Sequence, residues 1–194
     1  MYRTGGTIER LDRLSGPIEL LDEWDLWSER HRTAVARYSL AIAGAARVPA
    51  RHHEVLRRAA LLHDVGKLAL PDRILAGGPL SDHDWELIRA HPARGAAIVT
   101  EMGGGEAVAA IVAAHHERLD GCGYPRGLKG AEIPALARIV AVAEAYDAMT
   151  AEDSYQRPMA PLHALRRLTK VAGTQLEPRF VEILVGLLAG GDLR

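Results

Sequence analysis

Apolar residues recur at three- and four-residue intervals along most of this chain, and no segment sustains the period-two alternation of a half-buried strand. The pattern predicts an all-α fold. Trp24, Trp27, Val35, Tyr38 and Ile42 fall near helical spacing and predict a helix over 18–47, with His31 on the same stripe. Val55, Leu56, Ala59, Leu62 and His63 predict a second helix over 50–63, with Gly66 as its stop signal. Ser81 reads as an N-cap with Asp84 three residues on, so a helix runs from there to about His91, and Pro92 opens the next. Gly103-Gly104-Gly105 breaks the chain. A helix over 106–116 then delivers His115 and His116 at its C-terminal end. Residues 119–130 hold four Gly and one Pro, which predicts a loop. Helices are expected over 134–151, 161–172 and 178–189. Residues 1–17 are weakly patterned and read as a leader or linker stub, which leaves 18–194 as one domain.

Composition narrows this picture. Ala, Leu and Val dominate and aromatics make up only 5%, which favours helices over sheets. The 194 residues suffice for one domain with a proper core. A net charge of −1 with interspersed signs argues against DNA or RNA as a partner, since bulk nucleic-acid binding needs a basic field. No stretch is long and apolar enough to span a membrane. Glu9, Asp12 and Arg13 interrupt any signal-peptide pattern. The single cysteine, Cys122, excludes an internal disulfide, so a reducing cytoplasm is the expected location. Cys122 reads as a small tolerated side chain rather than a nucleophile.

The chemistry concentrates in two places. His63 and Asp64 follow the apolar run Ala59-Ala60-Leu61-Leu62, so both are expected to be buried. A buried carboxylate needs a partner, and a cation is the simplest one. His115 and His116 end a second apolar run, where two adjacent imidazoles are costly unless they bind something. Two metals close together hydrolyse phosphate esters well. They clamp the attacking and leaving oxygens, and a water bridging them deprotonates near neutral pH to a nucleophilic hydroxide. Asp64 is best placed to bridge. Lys67, three residues on, either stabilises charge on a phosphoryl oxygen or caps the preceding helix. His52, His53, His83 and His163 lie among polar neighbours and are assigned no site.

These motifs resemble the HD-GYP family, the bacterial branch of the HD metal-dependent phosphohydrolases that degrades cyclic di-GMP. The resemblance covers roughly residues 20–188. It rests on His31, His63-Asp64-x-Gly66-Lys67, Leu80-Ser81 leading to His91-Pro92, and His115-His116-Glu117-Arg118. It continues through Asp120-Gly121-x-Gly123-Tyr124-Pro125 and Ala141-Val142-Ala143-Glu144-Ala145-Tyr146-Asp147-Ala148-Met149-Thr150. It implies an HD-type helical bundle with a binuclear metal centre. His31, His63, Asp64 and Glu144 would hold one ion, and Asp64 would bridge to a second held by His91, His115 and His116. Lys67 would face the phosphate, and Gly123 and Tyr124 would contact substrate. The implied ions are divalent, iron or manganese first, with zinc and nickel also compatible with imidazole and carboxylate ligands.

Three positions depart from the family pattern. Glu144 stands where the family usually has Asp. Trp27 stands where some relatives carry a Glu that binds a third metal, so two ions are expected here. Asp153 and Gln156 replace the basic residues that grip substrate phosphates, and Arg157 is the candidate substitute. The implied function is a metal-dependent phosphodiesterase that hydrolyses cyclic di-GMP to pGpG or GMP. A catalytically weakened binding or regulatory module, and a phosphohydrolase acting on another nucleotide, stay open beside it. Arg126 and Lys129 keep the Gly-Tyr-Pro loop positive, which suits an anionic ligand or an acidic protein partner.

Overall fold

The computed structural model describes residues 26–75, 78–151, 157–191 and 193. The leader 1–17, the predicted helix start at 18 with Trp24, and Asp153 and Gln156 lie outside them, as does the side chain of Trp27. Among the described residues the chain is all-helical, as the apolar periodicity predicts. The elements are α1 (Leu26–Ala45), α2 (His53–Leu62), α3 (Asp72–Leu75), α4 (Asp82–Arg89), α5 (His91–Glu101), α6 (Glu106–Ala114), α7 (Ala135–Thr150), α8 (Pro161–Val171) and α9 (Pro178–Ala189). Short 3₁₀ turns at Ala50–His52, Val65–Ala69 and Gly130–Glu132 join them.

The core lies between α1, α2, α6 and α7. Val35 and Ile42, Leu56 and Ala59, Val112, and Ile139, Val140, Val142 and Ala143 are fully buried. α1 packs on α2 and α7, α2 on α6, and α5 on both α6 and the turn after α2. α7 is the central helix, which explains its nearly continuous apolar sequence. α9 closes the bundle with Phe180, Val181 and Leu184.

Most predicted helices are present, and the differences have local causes. α1 ends at Ala45, two residues early, because Arg47 turns into the left-handed region with φ 59°. The helix predicted over 50–63 divides into a 3₁₀ turn and α2. Gly66 is not a helix stop. It lies inside the Val65–Ala69 turn, where a Cβ would fall 2.0 Å from the carbonyl oxygen of His91. Its role is to let the start of α5 approach the end of α2. Ser81 does cap α4. Its Oγ accepts from the Asp84 N–H, and its own N–H donates to Asp84 Oδ2 at 2.9 Å. Pro92 sits in the first turn of α5, as predicted.

Candidate metal centre and substrate cavity

Helix ends deliver the candidate ligands. His63 follows the last residue of α2, His91 opens α5, and His115 and His116 follow α6. Three of these imidazoles are oriented in the same way. Nδ1 of His63 donates to Ala60 O at 2.7 Å, that of His91 to Ile88 O at 2.6 Å, and that of His115 to Val112 O at 2.6 Å. Each acceptor is a carbonyl three residues back. A carbonyl only accepts, so Nδ1 carries the proton and Nε2 keeps its lone pair. His31 is oriented differently, by Asp147 Oδ2 at 2.6 Å from its Nδ1.

The Nε2 atoms converge on Asp64. His91 Nε2 lies 3.2 Å from Asp64 Oδ1 and 3.3 Å from His115 Nε2. His63 Nε2 lies 3.4 Å from Asp64 Oδ2. His63 Nε2 and Asp64 Oδ1 are both buried without a hydrogen-bond partner. Lone pairs facing one another at these distances repel unless a proton or a metal cation lies among them. Candidate ligand atoms fall into two groups, each within 4.8 Å: Asp64, His91, His115 and His116, and His31, His63 and Asp64. Asp64 belongs to both. The residues present therefore fit divalent metal, and the shared carboxylate has the placement of a bridge.

Charge follows the same geometry. Burial opposes ionisation of Asp64, yet the Lys67 ammonium and the neighbouring imidazoles hold its carboxyl well below the usual range. Lys67 Nζ reaches Asp64 Oδ2 at 2.6 Å. Burial opposes a second proton on His63, but with no cation at the centre Asp64 and Glu144 outweigh it and raise that imidazole to about 9, so a proton takes the place on Nε2 that a bound ion would occupy. Burial lowers His115 well below its ordinary value and His116 to about 4. The two carboxylates thus create a negative field at the centre, which favours a cation.

The resemblance also placed Glu144 with His31, His63 and Asp64. Its carboxylate instead lies beside His116, 3.6 Å from Nε2, while still acting electrostatically on His63. Arg157, the candidate substitute for the basic grip, is exposed and does not line the cavity beside the cluster. His53 and His83 lie outside the cluster: His53 bonds Val48 O, and His83 is exposed near Glu86.

Two residues that sequence reasoning left without a role organise the site. Asp147 fixes His31 from α7. Glu117 is buried, and its carboxylate accepts from the Arg126 and Leu128 N–H groups at 2.8 and 2.9 Å, which pins the Gly-rich loop. Gly123 packs against the backbone of His116 to Arg118, where a Cβ would fall 2.4 Å from Arg118 N. That contact presents Tyr124, whose ring lies 4.7 Å from that of His116. A signal for Glu117 exists in its adjacency to the His pair, whereas the Asp147 contact spans 116 residues. A cavity of about 680 Å³ opens beside the cluster, bounded by His115, His116, Tyr124, Glu144 and the end of α4.

Comparison with known proteins agrees with the helical fold and the HD-type motifs. The HD domain family profile matches residues 17–180. The chain is 35% identical over 161 residues to the 3'3'-cGAMP-specific phosphodiesterase 3 of Vibrio cholerae, with 82% of this chain and 35% of that protein covered. It is 36% identical over 174 residues to a cyclic di-GMP phosphodiesterase of Thermotoga maritima, with 88% and 47% covered. The chain thus spans between a third and a half of the length of these relatives. Among solved structures, the HDG"Y"P protein Bd1817 from Bdellovibrio bacteriovorus superposes with a TM-score of 0.68 at 26% identity, over 84% of this chain and 53% of that one.

Proposed function

This chain belongs to the HD domain family, and on that premise we propose that it is a metal-dependent phosphodiesterase acting on cyclic dinucleotides, cyclic di-GMP first. The observation that carries the reading is the convergence of oriented imidazoles on Asp64 beside a cavity. Relatives named as cyclic di-GMP and 3'3'-cGAMP phosphodiesterases support the substrate class.

In this reading His31, His63 and Asp64 hold one ion, and Asp64, His91, His115 and His116 hold another. Glu144 adds a carboxylate at the edge of the centre, where it faces His116. Bound divalent ions, iron or manganese in this proposal, supply Lewis acidity at the phosphodiester and lower the pKa of water. The chain supplies the rest. Lys67 balances charge on Asp64 and faces the phosphoryl oxygen. Burial raises the Tyr124 phenol, which therefore stays protonated and able to donate to a substrate oxygen. The loop pinned by Glu117 holds that phenol over the centre.

The test is turnover by purified protein saturated with Mn²⁺ or with Fe²⁺ under anaerobic conditions. Cyclic di-GMP and 3'3'-cGAMP are followed to linear products by chromatography, with metal content measured on the same sample. Two ions per chain and metal-dependent product are expected. Binding without turnover at metal saturation would favour the regulatory module instead, and neither binding nor turnover would exclude cyclic dinucleotides.

A further inference from the structure

The cavity wall carries two guanidinium groups in opposite situations. Arg118 is held by Asp120 through contacts of 2.6 and 3.1 Å. Arg89, the last residue of α4, is exposed and makes no side-chain hydrogen bond or ion pair among the described residues. Its charge acts on the Tyr124 phenol, which borders the same cavity. One turn earlier on the same helix, Trp85 lines this cavity with 47% of its surface exposed. Residues four apart share a helix face, so the indole and the guanidinium stand side by side. The helix start beneath them is fixed. Ser81 and Asp84 form a reciprocal cap, and Arg73 pairs with the buried Asp84 carboxylate.

A cyclic dinucleotide has two phosphates and two bases, and a hydrolytic centre engages one phosphate at a time. The other needs a cation. Among the described residues Arg89 is a guanidinium on the cavity wall without a side-chain partner, and a guanidinium fork matches a phosphate. An exposed indole offers a stacking platform for a purine.

We propose that Trp85 and Arg89 form the substrate grip of this chain, with Arg89 on the phosphate away from the metal cluster and Trp85 stacked on a base. The inference rests on the cyclic dinucleotide reading of the site.

Equilibrium binding of the hydrolysis-resistant bis-phosphorothioate of cyclic di-GMP to the metal-loaded protein tests it, together with KM and kcat for cyclic di-GMP. Arg89→Ala should weaken binding about tenfold or more at low salt, with partial recovery in Arg89→Lys. Trp85→Ala should weaken it about fivefold or more, with most of the loss recovered in Trp85→Phe. Both losses should fall on KM more than on kcat, with metal content and melting temperature unchanged. Wild-type affinity and KM in both alanine variants would overturn the grip while leaving the phosphodiesterase reading intact. Loss in one variant only would overturn the half assigned to the other residue. Weaker binding accompanied by lost metal or a lower melting temperature would assign a structural role instead. A wild-type protein that neither binds nor hydrolyses a cyclic dinucleotide would defeat the substrate reading and the grip with it.

Discussion

At the scale of single residues, the site depends on where each imidazole proton goes. His63, His91 and His115 hand theirs to a carbonyl three residues back, and His31 hands its own to Asp147. The remaining nitrogens converge on Asp64 and on one another, an arrangement that shared protons or bound cations make favourable. Asp147→Ala removes one of these orienting partners without touching the metal face. It should lower the affinity of the ion near His31 about 10–100-fold, as loss of a carboxylate behind a ligating histidine does. The ion near His91, His115 and His116 should stay bound. A chelator-competition titration with two resolved steps checks this, and an equal loss at both steps would count against it. His63, Asp64, His115 and His116 stood out in sequence as metal-binding residue types at the ends of apolar runs, whereas His31 and His91 entered only through the family resemblance. The role of Asp147 was not legible, since it depends on α1 and α7 meeting.

At the scale of elements, helix ends present most of the candidate ligands and close backbone approach sets their distances. Ser81 and Pro92 mark the α4 and α5 starts with local chemistry, and both were readable. The Val65–Ala69 turn was not, because its geometry follows from the packing of α5 against it. Gly66 carries that packing. A Cβ there meets a backbone carbonyl at 2.0 Å and a backbone nitrogen at 2.6 Å, and no rotamer change relieves either contact. Gly66→Ala should therefore destabilise by about 1–3 kcal/mol or more and push His91 away from Asp64. Gly186, inside α9, is the matched contrast, since a Cβ there meets nothing within 4 Å. Gly186→Ala should stabilise by about 0.5–1 kcal/mol, because Gly loses more backbone freedom than Ala on entering a helix. Denaturant unfolding of both variants in chelator, so that metal adds nothing, separates the two signs.

At the scale of the molecule, the candidate ligands tie together segments from His31 to Glu144, drawn from α1, α7 and the ends of α2, α5 and α6. Without a cation, the folded chain must bury Asp64 Oδ1 and His63 Nε2 without hydrogen-bond partners, a cost absent from the unfolded chain. The unfolded chain scatters the same ligands and binds metal weakly, so metal should stabilise the folded state by mass action. Free metal at a hundredfold excess over its dissociation constant is worth about 2.7 kcal/mol. For a chain of this size that corresponds to a rise of roughly 5–11 °C in melting temperature. Adding Mn²⁺ to chelator-treated protein should produce such a rise, and chelator should reverse it. Asp64→Ala should flatten the response, because the carboxylate common to both ligand groups is gone. The same substitution takes the counter-charge from Lys67 and from the buried His63, so the metal-free variant should also melt below the metal-free parent. A parent whose melting temperature ignores Mn²⁺ and Fe²⁺ alike would mean that the converging imidazoles settle their charge with protons alone, and the metal centre would have to be abandoned.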